Sequence, residues 1–311
     1  MNDAEIDDIL RTCSKLKPVE LIISDLKWKY LVRAVLRAKN IMIVGPSGCA
    51  KTMAARCVAK ALNRPFSIFN IGSTQDARAT LIGNTTYKKE FGTMFHKSAF
   101  IRAITTPKTI VLLDEFSRGT HDAHNILMPT LDPTQRSIRL DEDEESSVVE
   151  VADGVSFIAT ANIGNEYTAT KVLDKASARR FPIKLEMEPL NGKELRDLFG
   201  YLFHGRTKEE EDLMKTLCKV SDDLLAQCQL EDASISTFIS PANMVEMAEL
   251  VMDGFTLEEI AEASIYTEYP DDGGAGSERT SVKQILQKYI VKGNVKNPIN
   301  DPLKNKKTAD F

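Results

Sequence analysis

The sequence predicts an α/β fold, a parallel sheet flanked by helices, with a small all-helical domain at its C-terminal side. Three observations predict it. Short apolar runs alternate with helical patterns between residues 41 and 187, a small-residue loop joins the first run to a helix, and strand-like runs stop after Pro189. Strands separated by helices make a doubly wound sheet, whereas a purely helical remainder makes a separate layer.

Residues 3–16 read as a short helix running from acidic to basic, and DLKWKYLVRAVLRA (25–38) reads as a second. In the latter, Leu26, Tyr30, Val32, Ala34 and Leu36 stand among Lys and Arg residues that form a solvated face. The expected strands are IMIVG (41–45), FSIFNI (66–71), TIVLLDEF (109–116), VSFIAT (155–160) and FPIKLEM (181–187). The third is nearly continuous in branched apolar residues, as a strand covered on both faces must be. SIRL and SVVEV flank the acidic run DEDEE (141–145) and predict a hairpin over 136–151 with a charged tip. Helical patterns then cover 191–204, 208–230 and 240–266. Ser240 is an N-cap with Pro241 at the first helical position, and Thr256 to Glu259 is a capping box. DDGGAG (271–276) reads as a flexible break before the helix TSVKQILQKYI, and GNVKNPINDPLKNKKTADF as a polar, basic, disordered tail. The division expected is an N-terminal helix at 1–20, an α/β domain at 21–189, a helical domain at 190–266, and linker, helix and tail at 267–311. The chain contains no internal repeat.

Composition narrows the function classes. A length of 311 residues supports a large core, and 42% hydrophobic with 27% charged residues fits an ordinary globular chain. The net charge of −5 argues against general affinity for nucleic acid. No run of about 18 apolar residues is present to span a membrane. The acidic start MNDAEIDDIL leads into no signal-peptide core, so the expected compartment is the cytoplasm. Cys13, Cys49, Cys57, Cys218 and Cys228 include no CxxC pair and read as scattered reduced thiols. His121 and His124, three apart, have no neighbours in sequence that complete a metal site.

Four short motifs carry chemistry. GPSGCAKT (45–52) follows a strand and opens an Ala-rich helix, the context of a phosphate-binding loop. Backbone amides of Gly45, Pro46, Ser47, Gly48, Cys49 and Ala50, so far as each has one, and the helix N-terminus would neutralise phosphates. Lys51 would reach the β and γ phosphates of ATP, and Thr52 would hold Mg²⁺ through its hydroxyl. The usual pattern has Gly where this chain has Ala50, a residue that resists positive φ. Ala50 therefore either adopts a helical geometry or weakens nucleotide binding. IVLLDE (110–115) ends an apolar strand with two carboxylates: Asp114 for the Mg²⁺ water shell, Glu115 as general base toward the attacking water. VSFIATAN ends at Asn162, whose neutral amide can bind both water and γ phosphate. In DKASARRF (174–181), Arg179 and Arg180 form either a surface ion-pair site or a cation reaching a neighbouring subunit's ATP.

The order GPSGCAKT, IVLLDEFSRG, ATANIG, ASARRF resembles the MoxR branch of AAA+ P-loop ATPases, a dynein-related group that includes CobS, CbbQ, NorQ and GvpN. The resemblance spans roughly residues 20–255. It implies an AAA+ core with a helical lid domain, a hexameric ring with ATP at subunit boundaries, and remodelling of a partner protein. It identifies Lys51 and Thr52 with Walker A, Asp114 and Glu115 with Walker B, Asn162 with the sensor, and Arg180 with the arginine finger, Arg179 replacing the usual Asp. Arg118 is similar to a family residue near the subunit boundary. ATLIG (79–83) resembles the start of an insert in helix 2, and the hairpin at 136–151 resembles the pre-sensor hairpin. One element departs: the lid motif with a sensor Arg reads Ser240-Pro241-Ala242-Asn243 here. With Ala50, that raises the case for a slow or nucleotide-retaining ATPase. The partner implied is a protein, such as a von Willebrand A-domain chain. The competing readings are a weakly hydrolysing scaffold ring and a nucleic-acid translocase or loader, the latter disfavoured by the acidic hairpin tip.

Overall fold

The computed structural model describes residues 2–88, 92–141, 147–162, 175–230, 232–272 and 274–290. Two compact units emerge, Met1–Gly205 with Ser240–Val245, and Arg206–Ile239 with Glu246–Phe311.

In the first unit, α1 (Asp3–Thr12) starts from a capping box between Asn2 and Glu5, and α2 (Asp25–Leu36) from the hydroxyl of Ser24. β1 (Ile41–Gly45) leads into α3 (Lys51–Ala61), then β2 (Phe66–Asn70) and the short α4 (Ala77–Leu81). A β-hairpin follows, β3 (Gly83–Lys88) and β4 (Gly92–Lys97), before α5 (Ala99–Thr105), β5 (Ile110–Asp114) and α6 (His121–Leu131). The next elements are β6 (Ser137–Arg139), β7 (Val148–Glu150), β8 (Ser156–Asn162), α7 (Lys175–Arg179), β9 (Ile183–Glu186) and α8 (Gly192–Leu202).

The sheet runs β2-β5-β8-β1-β9 with every pairing parallel. Ile110 to Leu113 are fully buried, as a central strand covered on both faces requires. One side of the core joins Val111, Leu113 and Phe157 to Phe100, Ile104, Leu127 and Leu131 from α5 and α6. Trp28, Leu31, Val35, Ala54 and Val58 of α2 and α3 are likewise fully buried. Burying each large side chain contributes roughly 1.5–3 kcal/mol.

The expected parallel sheet with flanking helices is the fold observed, with strand limits shifted by one or two residues. One local reading needs correction. The sequence reading marked 79–83 as the start of an insert but gave it no strands. The insert is the β3–β4 hairpin, paired from Gly83 with Lys97 to Lys88 with Gly92. Its strands hold too few apolar residues to alternate visibly. Residues 240–266 are helical as expected and divide at the expected capping box: α10 (Pro241–Met252) stops before Gly254, at φ 87°, and Thr256 caps α11 (Leu257–Ile260), followed by a π turn and a 3₁₀ turn. Gly tolerates that dihedral and ends helices there. The hairpin over 136–151 forms through β6 and β7, while most of its acidic tip and the tail from 291 lie outside the described residues.

The second unit, taken by itself, holds α9 (Lys208–Cys228), introduced by a Thr207–Glu210 capping box, and α12 (Glu278–Ile290), whose Tyr289 hydroxyl donates to Asp223 at 2.9 Å. Within the stretch read as a break, Asp271 accepts from Ser277 at 3.2 Å.

Asn40 ties three elements together. Its amide donates to the carbonyls of Leu131 at 2.8 Å and Arg180 at 3.0 Å, joining the start of β1 to the end of α6 and the approach to β9. Asn40 is 7% exposed, so Asn40→Ala strands two carbonyls without a donor. We expect it to lower the unfolding free energy by about 2 kcal/mol in urea titrations, with an unchanged m-value.

Candidate active site at the carboxyl edge of the sheet

Close packing shapes the loop after β1. Gly45 has φ 149° and a Cβ there would lie 2.2 Å from the Met187 carbonyl oxygen; Gly48 has φ 76° and its Cβ would meet Ser240 Cβ at 2.4 Å. Only glycine satisfies both conditions at either position. Ala50 then takes φ 55° and ψ 24° immediately before α3. Of the two alternatives the sequence left open, helical geometry at Ala50 is thus ruled out. A left-handed non-glycine residue costs roughly 1–2 kcal/mol. Among the described residues no side chain caps α3, so no side-chain oxygen competes for its first amides. Lys51 is 8% exposed, and its ammonium donates to the carbonyls of Gly45 (3.0 Å) and Pro46. Burial pushes the Lys51 pKa down, and neighbouring Cys49, Asp114 and Glu115 oppose that shift.

Thr52 donates its hydroxyl to both carboxylate oxygens of Asp114, at 3.1 and 3.2 Å. Thr160 of β8 donates to the same carboxylate and accepts from the Glu115 amide at 3.0 Å. Sequence reasoning missed Thr160. It stands two residues before Asn162, and the two-residue period of a strand puts both on one face. Glu115 is left-handed at φ 52°, and its carboxylate pairs with Arg118 at 3.3 Å. The Thr52 hydroxyl and Asp114 carboxylate are hard oxygen donors suited to a hard divalent cation.

Gly45 and Asn162 are register partners on adjacent β1 and β8, and β5 brings Asp114 to the same edge. Lys51, Thr52, Asp114, Thr160 and Asn162 therefore gather where parallel strands end, the usual ligand edge of such sheets. The two arginines differ. Arg179 is exposed, whereas Arg180 is tied to Asp132 at 2.9 Å and keeps a buried Nε without a hydrogen-bond partner.

Beside the loop lies a cavity of about 610 Å³, formed within the first unit. Gly48, Cys49 and Ala50 form one wall, and Ile22, Ile23, Met53, Met187, Leu198 and Val245 supply an apolar lining. Its size is that of an ordinary small-molecule site. Ala242 also lines it, so the position where the lid motif carries an Arg is apolar here. The sequence did not reveal this cavity because its walls come from segments more than 200 residues apart, Ile22 and Val245 among them.

Residues 40–181 match the family model of the AAA domain, dynein-related subfamily. BssE of Thauera aromatica, named provisionally as a chaperone, is 35% identical over 46% of this chain and 48% of its own length. The chain thus spans about half the length of that relative. An uncharacterized protein of Staphylococcus saprophyticus, SSP1341, is 26% identical over 66% of this chain and 78% of its own. Lon protease homolog 3 of Arabidopsis thaliana is 26% identical over 75% of this chain and 24% of its own. The matched stretch holds the loop, the acid pair and Asn162.

Proposed function

We propose that this chain is a MoxR-like AAA+ ATPase that binds ATP with Mg²⁺ at the boundaries of a ring, hexameric by resemblance, and uses hydrolysis to remodel a partner protein in the cytoplasm. The observation that supports it most directly is the contact between Thr52 and Asp114, beside a buried Lys51 folded onto the loop carbonyls.

In this reading Lys51 exchanges its contacts with Gly45 and Pro46 for phosphate oxygens, and the α3 amides bind the same charge. Thr52 and Asp114 would hold Mg²⁺, which would supply charge neutralisation for the phosphates. Glu115 accepts the proton of the attacking water, and Asn162 orients that water against the γ phosphate. An arginine from the neighbouring subunit stabilises transition-state charge. Arg180 matches the family position, while Arg179 is the more exposed of the pair. The apolar cavity takes the base and ribose of the nucleotide. The chaperone name of BssE supports a protein as the partner, and a von Willebrand A-domain chain is the kind carried over from the family.

Ala50 and the apolar Ala242 favour a second reading, a ring held together by nucleotide with little turnover. Two experiments separate the readings. Glu115→Gln should bind ATP as the native chain does while hydrolysis falls by roughly 100-fold or more; unchanged turnover removes Glu115 from its role. Ala50→Gly should raise stability by about 1 kcal/mol in denaturant titration, because glycine relieves the left-handed strain at some cost in unfolded-state entropy. It should also tighten ATP binding and speed hydrolysis. A stability gain with no kinetic gain supports the scaffold.

A further inference from the structure

Positive charge is not spread evenly over this chain. The net charge is −5, yet residues 11–39 carry eight Lys and Arg against two acids, Glu20 and Asp25. The same stretch holds four of the twelve large apolar side chains exposed among the described residues: Leu16 (40%), Val19 (60%), Leu26 (61%) and Tyr30 (40%). Two contacts tie together the segments that carry them. The Trp28 indole donates to the Cys13 carbonyl at 2.7 Å, and the Lys17 ammonium pairs with Asp25 at 2.6 Å. Both hold the 3₁₀ turn at Cys13–Leu16 and its exit against α2. On α2, Leu26, Lys29, Tyr30 and Arg33 are three or four residues apart and all exposed, opposite the buried face of Trp28, Leu31 and Val35. Lys15, Lys29 and Arg33 make no ion pair among the described residues, unlike Lys17, Lys27 and Arg37.

Apolar side chains flanked by unpaired cations, in a chain that is acidic elsewhere, call for an occupant both apolar and acidic. We propose that this face is a docking surface for an acidic amphipathic helix of a partner protein, its apolar stripe laid on Leu16, Val19, Leu26 and Tyr30 and its carboxylates beside Lys15, Lys29 and Arg33. Two observations favour that occupant over other anions. α1 reaches the last turn of α2, where Arg37 pairs with Asp3 and Asp7, and Asp3, Glu5, Asp7 and Asp8 are all exposed. A flat anionic bilayer would have to approach those carboxylates, whereas a single helix lying along residues 16–33 avoids them. Single-stranded nucleic acid needs aromatic rings for its bases to stack on, and three of the four apolar groups here are aliphatic. The docked helix would be the partner segment of the remodelling reading above, yet its docking needs no hydrolysis, so surface and motor fail separately.

The probe is a fluorescein-labelled peptide of about 18 residues, with Leu at every third or fourth position and Glu between, long enough for a helix that covers α2. Its binding to the full chain is read by fluorescence anisotropy without nucleotide, beside a control peptide with Lys for every Glu. The Glu peptide should bind roughly tenfold tighter than the Lys peptide, and Lys29→Glu with Arg33→Glu should reverse that order. Leu26→Ser with Tyr30→Ser should weaken the Glu peptide by roughly tenfold. All four positions are exposed, so near-UV circular dichroism, melting temperature and basal ATP hydrolysis should stay native in both double variants. Failure of the Glu peptide to bind, or an affinity unchanged in either double variant, overturns the proposal. Two further arms test other occupants. Sedimentation with phosphatidylcholine vesicles containing about 30% phosphatidylglycerol, lost in the same variants, assigns the surface to lipid. A light-scattering mass that falls in the variants assigns it to a second copy of this chain. Either result overturns the acidic helix. Absence of ATP hydrolysis in the native chain, with the Glu peptide bound as expected, refutes the motor and leaves the docking surface standing.

Discussion

The Asp114 carboxylate is the joint on which the site turns. Its two oxygens collect a hydroxyl from Thr52 on α3 and another from Thr160 on β8, so one side chain on the central strand fixes both neighbours. Half-buried at the end of the fully buried run Ile110 to Leu113, this acid needs donors, since an unpaired carboxylate there is costly. Thr160 uses its other lone pair on the Glu115 amide, which fixes the backbone as the chain leaves the strand. Glu115 leaves the strand at φ 52° beside that anchorage.

Backbone strain concentrates around the same atoms. Gly45, Gly48, Ala50 and Glu115 all have positive φ, and two of the four are residues that resist it. Such strain persists only where the surroundings over-determine it. Here they do: β1 and β8 register Gly45 against Asn162, Met187 donates to the Val44 carbonyl at 2.7 Å, and Ser240 leaves no room beside Gly48. The loop is held from both sides, and its carbonyls occupy Lys51 until a better acceptor arrives.

Much of this was legible in sequence because it depends on local pattern. Branched apolar runs predicted the parallel strands, and GPSGCAKT before an Ala-rich helix predicted the strand–loop–helix unit. Both depend on residues within one or two turns. Other features depend on tertiary placement. Thr160 has no signature until β8 lies beside β5, and the cavity has none until residues near 22, 187 and 245 converge. The β3–β4 hairpin escaped notice because Asn84, Thr85, Thr86 and Tyr87 are exposed or half-buried, and without burial the two-residue period leaves no hydrophobic trace. The start of α11 was legible as well, because the capping box from Thr256 to Glu259 is a local pattern.

Two charges that the ring reading assigns to catalysis are satisfied inside the free chain: Glu115 by Arg118, and Arg180 by Asp132. Neither pair is deeply buried. Solvent reaches both pairs in part, so a competing phosphate or carboxylate can displace them. The Arg180 Nε, buried without a hydrogen-bond partner, makes the second pair cheaper still to exchange. In the ring reading, a chain built this way would keep its reactive charges quiet while alone and expose them where a neighbour's charge makes the exchange favourable. Such an arrangement would confine turnover to the assembled state without any large movement of the sheet.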